Sequence, residues 1–152
     1  MSTYTRASDV AAEVSARLAT ILLASGAETD IGRDVMRGRR NLPEDDKPPC
    51  IVVIEGNDDP RDTPGRIPSC HTSLPFVIDA FDVCDPDNPN DKAHAMIRDI
   101  KRAIFKDGAT LGGQVRSVKY TGRDIGPRPD GAALVQARVS IEVEFVEDLQ
   151  NP

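Results

Sequence analysis

Apolar and polar side chains alternate from residue 133 to residue 145, and this pattern constrains the fold more than any other feature of the sequence. The odd positions carry Ala133, Val135, Ala137, Val139, Ile141, Val143 and Phe145, and the even positions carry Gln136, Arg138, Ser140, Glu142 and Glu144. Successive side chains of a strand point to opposite faces of its sheet. The segment therefore predicts a strand with one face on the core and one polar face. On this basis Val139→Asp should disrupt folding, and Arg138→Asp should be tolerated.

A first helix is predicted after Ser8, which is a suitable N-cap residue, and it should end at Gly26. Its Glu13 and Arg17 stand four residues apart, which favours an ion pair on the exposed side of the helix. Its apolar residues recur at helical spacing and comprise Val10, Val14, Leu18, Ile21 and Leu22.

A second helix is predicted to begin at Asn88, with Pro89 in the first helical position and Asp91 near the positive end of the helix dipole. Gly108 should close it. Its apolar face consists of Ala93, Met96, Ile97, Ile100, Ile104 and Phe105.

The remaining apolar runs predict strands at 31–36, 50–55, 71–84 and 114–120. Residues 41–49 and 57–69 are rich in proline and charge, so both are expected to be loops. In the strand at 71–84 the apolar parity changes after Ala80, which indicates either a bulge there or burial of both faces.

The predicted order is thus α-β-β-β-α-β-β within a single domain over residues 1–152. Strands that occur in runs indicate an α+β fold with a mostly antiparallel sheet. We expect both helices to pack on one face of this sheet.

Composition narrows the possible functions. The chain of 152 residues has a net charge of −6, which disfavours general binding to a phosphate backbone. No apolar run approaches the ~18 residues that a membrane span requires, so no transmembrane helix is expected. The first residues lack the basic, apolar and small-residue pattern of a secretory signal, so none is expected. The three cysteines are odd in number and show no CxxC spacing, and both features are typical of reduced cytosolic thiols.

No motif in the sequence predicts catalysis, a metal or a cofactor. The two histidines, His71 and His94, lack further ligands at metal-binding spacing. Cys70 and His71 are consecutive, so on a strand they point to opposite faces and cannot form a nucleophile–base pair. The acidic stretch at 85–91 lacks the glycine and the final acid of a calcium loop and is better explained as a turn before the second helix. No phosphate-binding glycine loop is present.

The charge feature that stands out is a group of four arginines at 33–40: Arg33, Arg37, Arg39 and Arg40. Three interpretations are open: a nucleic-acid contact, a solvated strand edge, and a contact between subunits. In the third, the arginines of one chain meet acidic segments of another. The candidate contact residues beyond the arginines are Glu44, Asp45, Asp46, Asp58, Asp59 and Arg61.

The segment GAETDIGRDVMRGRRNLPEDDKPPCIVVIEGNDDP at 26–60 resembles the small tail terminator proteins of long-tailed bacteriophages. The likeness rests on the R-G-R-R turn at 37–40 and the acidic proline loop at 43–46, and the predicted element order is similar to the lambda-type tail terminator fold. The resemblance implies a non-enzymatic virion protein at the head–tail junction, assembled in the host cytoplasm. It also implies a ring, hexameric in this family, that ends tail tube polymerisation.

The partners implied by this resemblance are other copies of the chain, the tail tube protein and the head-side connector, with DNA passing only through the ring lumen. A head–tail joining or other tail completion protein is the nearest alternative. A small cytosolic enzyme or nucleotide-binding domain is the alternative from another class.

The expectation that the three cysteines are reduced leads to a first testable prediction. The protein should melt at the same temperature with and without reductant, because no disulfide constrains its unfolded state. Thermal unfolding followed by circular dichroism measures this. A decrease of many degrees on reduction would contradict the cytosolic assignment.

Overall fold

Strands β4 and β6 are the longest in the molecule and pair along their whole length. The computed structural model describes residues 4–38, 48–62, 68–126 and 133–152. Within these ranges β4 covers Ser69–Val83 and β6 covers Leu134–Asp148, and the antiparallel register runs unbroken from Ser69 opposite Asp148 to Val83 opposite Leu134. This ribbon forms the centre of the sheet.

The other elements are arranged around the ribbon. The helices are α1 (Ala7–Leu18) and α2 (Pro89–Phe105), and the remaining strands are β1 (Val35–Arg37), β2 (Cys50–Glu55), β3 (Asp59–Asp62) and β5 (Ser117–Ile125). The sheet order is β1-β2-β4-β6-β5, and β3 also pairs with β4. Among the described strands, every pair is antiparallel except β1 with β2.

Both helices cover the same face of the sheet, as predicted. The main core unites the apolar residues of α1 and α2 with the inward residues of β2, β4 and β6. The odd positions of β6 from Val135 to Phe145 are each at most 1% exposed, so the alternation does mark the core-facing side. The predicted α+β class is confirmed. Ala133 is the exception, because it precedes the strand and is exposed.

The ends of the first helix differ from the prediction. Its N-cap residue is Arg6, and Ser8 lies inside the first turn. The reason is that the Thr5 N–H donates to the Val146 carbonyl at 2.8 Å, which fixes where the chain leaves the sheet. Helix α1 ends at Leu18, and Gly26, with φ of +93°, instead ends a 3-10 turn at Leu23–Ser25.

Arg17 is buried, which corrects its predicted place on the exposed side of α1. Its side chain is 3% exposed and donates to Glu13 Oε1 at 2.9 Å, as the spacing predicts. It also donates to both carboxylate oxygens of Asp107, at 2.8 and 3.0 Å, and to the Ile104 carbonyl. The hydrogen bond to Arg17 lowers the pKa of Asp107. Arg17 therefore joins α1 to the end of α2.

Helix α2 follows the prediction closely. Asn88 is its N-cap residue, Pro89 lies in the first turn, and Gly108 adopts φ of +105° soon after the last helical residue. The Asn88 side chain makes no cap hydrogen bond. Proline has no N–H, and an N–H in the first turn would have no partner within the helix. Pro89 therefore removes no helical hydrogen bond, and the helix begins there without the side-chain cap.

The strand predicted at 31–36 is only half correct. Ile31–Arg33 forms a 3-10 turn, and β1 follows at Val35–Arg37 in parallel register with β2. The Gly32 N–H donates to the Ile21 carbonyl at 2.9 Å, and a Cβ at Gly32 would lie 2.5 Å from the Leu18 carbonyl oxygen. Only glycine fits this close approach to the end of α1. Strand β2 has the predicted bounds.

The expected loop at 57–69 contains a strand, β3, because β4 extends beyond the end of β2 and offers a free edge there. Between β2 and β3, the Gly56 N–H donates to the Pro75 carbonyl at 2.8 Å. A Cβ at Gly56 would lie 2.7 Å from Pro75 Cγ, so glycine is required at this point as well.

The parity change in β4 is explained by burial of both faces. The registers with β2 and β6 continue past Ala80 without a bulge. Ile78 and Ala80 belong to the main core, and Phe81 packs on the opposite face against Met36, Cys50 and Val52. Among the described residues, no disulfide joins Cys50, Cys70 or Cys84.

Strand β5 begins later than predicted, at Ser117 instead of Gln114. The preceding residues form turns in which Gly112 and Gly113 have positive φ and the Val115 N–H donates to the Thr110 carbonyl. The strand extends to Ile125 through an irregularity between Tyr120 and Gly122.

The one-sided burial of β6 makes a second prediction. Val139→Asp should cost several kcal/mol and abolish cooperative unfolding, because it places an unpaired charge in the main core. Ser140→Asp is the matched control on the next, opposite-facing position, and it should retain a cooperative thermal transition. Equal melting temperatures for the two variants would contradict the assignment of faces.

Candidate interaction surfaces

The face of the sheet opposite the helices, called here the open face, is covered by neither α1 nor α2. Its half near β1 and β2 is apolar, and Met36, Cys50 and Val52 are buried there beside the half-buried Ile54 and Phe81. Its other half, along β4 and β6, carries charged and hydroxyl side chains. The open face therefore combines an apolar and a polar region.

An ion pair that the sequence analysis missed lies in this polar half. Arg138 donates from Nε to Asp79 Oδ1 at 2.7 Å and from Nη2 to Asp79 Oδ2 at 3.0 Å. The Asp79 side chain is 4% exposed and that of Arg138 is 44% exposed. The hydrogen bond to Asp79 raises the pKa of Arg138. Asp79 is directly opposite Arg138 in the β4–β6 register, so only the pairing of two distant segments brings them together.

Further along the ribbon, a polar network connects β3, β4 and β6. The Ser73 hydroxyl donates to Glu142, and Arg61 Nη2 lies 3.6 Å from the same carboxylate. His71 Nε2 lies 3.5 Å from Glu144 Oε2. These contacts account for most of the polar residues on the open face at this end, so the side chains hold one another in place.

Arg33 and Arg37 lie near the β1 edge of the sheet. Arg37 Nη2 is 3.7 Å from Glu55 Oε1, and both side chains are about half exposed. Arg33 is exposed and lines a groove of about 440 Å³ with Asp34, Pro48 and Pro49. These two arginines are thus close to one sheet edge, and Arg37 has an acidic partner in its own chain.

Five of the predicted contact residues lie outside the described residues. That group consists of Arg39, Arg40, Glu44, Asp45 and Asp46.

The acidic segment at 57–62 is partly neutralised within the chain. Arg61 Nε is 3.7 Å from Asp59 Oδ2 and also reaches Glu142, while Asp58 accepts a long 3.4 Å hydrogen bond from the Thr72 hydroxyl. Because β3 pairs with β4, these residues belong to the sheet. The structure brings Asp59 and Arg61 together, places Asp58 beside Thr72, and places Arg33 and Arg37 beside another strand.

A group of cations on the helical side of the molecule was also missed. Arg98 donates to both oxygens of Glu28, at 2.9 and 2.8 Å, and Arg102 donates to the same carboxylate at 3.0 Å. The Arg98 hydrogen bond, with the Arg102 charge, lowers the pKa of Glu28 to about 2. Lys101 Nζ lies 4.2 Å from the centre of the Tyr120 ring, a cation–π contact.

Arg123, in β5, extends this group, since its Nη1 lies 3.5 Å from His94 Nδ1 in α2. We call Arg98, Lys101, Arg102 and Arg123 the basic strip. The sequence signal was present in the spacing of Arg98, Lys101 and Arg102 on one helix, whereas the addition of Arg123 depended on the packing of β5 against α2.

Buried Asp99 anchors the segment that carries Glu28. Its carboxylate accepts the Glu28 N–H at 3.1 Å, the Thr29 N–H at 2.8 Å and the Thr29 hydroxyl at 2.7 Å. A cavity of about 230 Å³ lies beside it, lined also by Thr20, Arg102 and Lys106. Because Asp99 is engaged by three donors, it serves as a structural group in this cavity.

The remaining candidates for chemistry are dispersed. Within residues 4–38, 48–62, 68–126 and 133–152, no three His, Cys, Asp or Glu side chains converge as a metal site would require. Asp85 Oδ1 accepts the Asp87 N–H at 3.0 Å, in a turn that leads into α2. Over the same ranges, neither helix has the length and apolar character needed to cross a membrane.

Comparison of the sequence with protein-family models and with curated proteins finds no match.

The Asp79–Arg138 pair makes a third prediction and revises the tolerance expected for Arg138→Asp. This change leaves the buried Asp79 without its donor and places a second carboxylate opposite it, so the free energy of unfolding should decrease by about 1–3 kcal/mol. Chemical denaturation measures the decrease.

The control for this experiment is Asp79→Asn combined with Arg138→Gln, which removes both charges and should recover part of the loss. If Arg138→Asp leaves the denaturation midpoint unchanged, the pair makes no net contribution to stability.

Proposed function

We propose that this protein is a tail terminator of a long-tailed bacteriophage. In this role it forms a ring on the last ring of the tail tube, ends tube polymerisation and presents a surface for head joining. It acts without catalysis, assembles in the host cytoplasm and becomes part of the virion at the head–tail junction. The first support is the resemblance of residues 26–60, together with an α+β fold of the expected kind.

The observation that carries the proposal is the number of sheet surfaces that remain available for association. Among the described residues, β1 and β5 each pair on one side only, at opposite edges of the sheet. The open face is also free of helices, and its polar half exposes Arg138, whereas Met36, Cys50 and Val52 near β1 and β2 are buried. A ring subunit needs two different surfaces that meet head to tail, and a further surface for the tube or the connector.

The arginines provide candidate contacts within this arrangement. Arg33 is exposed beside β1 and has no carboxylate partner among the described residues, and Arg37 shares Glu55 through a long, exposed contact. Exposed pairs of this kind are worth about 0–1 kcal/mol, so a neighbouring subunit could capture either side chain at little cost. The ring is expected to be a hexamer with DNA passing through its lumen.

Head–tail joining and other tail completion roles remain the nearest alternatives, since they require similar surfaces. An enzyme or a nucleotide-binding domain would require a pocket with convergent polar groups. In the cavity beside Asp99, the carboxylate already accepts hydrogen bonds from the backbone and hydroxyl of residues 28 and 29. No observation on the described residues favours that class.

Mixing the purified protein with polymerised tubes of the tail tube protein from the same genome tests the proposal. Negative-stain images should show a ring at one end of each tube, and tube growth should stop. Bare ends with continued growth would contradict the proposed function.

A fourth prediction concerns the arginines in the same assay. Arg33→Ala with Arg37→Ala should leave the melting temperature within a few degrees of the wild type, because both side chains are exposed, and should reduce capping. Arg116→Ala, which removes an exposed arginine elsewhere, is the matched control and should cap normally. Normal capping by the double variant would make these arginines ordinary surface residues.

A further inference from the structure

The basic strip holds more positive charge than its own chain neutralises. Arg98 and Arg102 share the carboxylate of Glu28, and Arg102 also lies 3.7 Å from the buried Asp99. Lys101 and Arg123 contact Tyr120 and His94, and neither has a carboxylate partner among the described residues. Tyr120 is 38% exposed, so an apolar ring lies beside these two cations. A locally basic surface with an aromatic side chain is unusual in a chain of net charge −6.

A second surface has the opposite character. Val83 and Leu134 face each other at the end of the β4–β6 ribbon and are 58% and 39% exposed. Asp85 and Asp87 follow in the turn before α2, are exposed, and form no ion pair among the described residues. We call Val83, Asp85, Asp87 and Leu134 the acidic end. Its two apolar side chains are among the largest exposed ones that the structure describes.

We propose that the basic strip of one copy of this chain docks on the acidic end of the next copy. The contact pairs Lys101 and Arg123 with Asp85 and Asp87, and it brings Tyr120 against Val83 and Leu134. This inference rests on the proposed ring-forming function and adds a subunit contact to the one proposed for Arg33 and Arg37. The occupant is a second copy because the same chain supplies both complementary charges and both exposed apolar groups.

The positions of the two surfaces favour a ring over a symmetric dimer. The acidic end precedes Pro89, and Lys101 lies twelve residues further along α2, about 18 Å at the rise of an α-helix. Because the two patches are different and separated, each copy offers one to each neighbour. Such a heterologous contact propagates, and it closes into a ring when the rotation between copies allows.

Charge also favours protein over nucleic acid as the occupant. A polyanion would have to approach a chain whose total charge repels it, whereas the acidic end presents only a few carboxylates beside apolar side chains. Complementary charge chiefly sets the rate and specificity of such a contact, and the apolar pair adds burial. The association of the two copies should therefore weaken as the salt concentration rises, because salt screens the charge pairs. It should not be lost completely, because the apolar side chains remain buried against each other.

Charge reversal with sedimentation velocity at low ionic strength tests the contact without any tail tube, and this is the fifth prediction. The wild type should self-associate in a concentration-dependent manner. Lys101→Glu with Arg123→Glu should weaken self-association by more than about tenfold, because both surfaces are then acidic. Asp85→Lys with Asp87→Lys should do the same, because both surfaces are then basic.

A rescue experiment distinguishes loss of this contact from misfolding of the charge-reversed variants. An equimolar mixture of the two reversed proteins restores opposite charges at every junction, so association should recover, and so should a chain that carries all four changes. A matched control, Lys119→Glu, changes an exposed charge on the open face of β5 and should associate like the wild type.

Several results would overturn the inference. They are a wild type that stays monomeric at the highest soluble concentration, unchanged association of both reversed proteins, and absence of rescue. Salt-dependent binding of duplex DNA that is lost with Lys101→Glu and Arg123→Glu, while association is unchanged, would assign the basic strip to nucleic acid.

Tube capping is measured separately. Failure of capping with intact charge-dependent association would therefore refute the terminator role and leave the contact standing.

Discussion

The core, the helices and the edge strands of this molecule all depend on the antiparallel pairing of β4 with β6. The two strands exchange hydrogen bonds over fifteen residues each, and their inward side chains form the sheet side of the main core, on which the helices pack. A shift of one residue in this register would move Ile78, Val139 and their neighbours from the core to the open face. The helices, the edge strands and the surfaces proposed for assembly all take their positions from this one ladder.

Three charged side chains at buried positions then connect elements that lie far apart in the sequence. Arg17 joins α1 to Asp107 at the end of α2, Asp99 holds residues 28 and 29 on α2, and Asp79 pairs with Arg138 across the ribbon. A buried charge is costly unless it is paired and hydrogen-bonded, so each group disfavours any packing that separates it from its partner. They are best understood as determinants of a unique arrangement.

The distribution of the remaining charge connects the structure with assembly. The chain is acidic overall, yet α2 and β5 together present a basic strip, and the turn before α2 presents an acidic end. Unlike charges on different parts of one subunit favour association of copies in a fixed direction. This property fits a protein that is proposed to form a ring.

The sequence by itself determined the class of the fold. Periodicities of two and of about 3.6 residues are local properties, and they revealed β6 and α2 with the core-facing side of each. A continuous apolar run, which is also local, revealed β2. Only the tertiary structure decided which distant residues meet. Strand β3 exists because β4 offers an edge beyond β2, Arg17 is buried because α2 ends above it, and Arg138 matters because its register partner is Asp79. These outcomes depend on contacts between segments more than fifty residues apart in two of the three cases, and local patterns carry no information about such contacts.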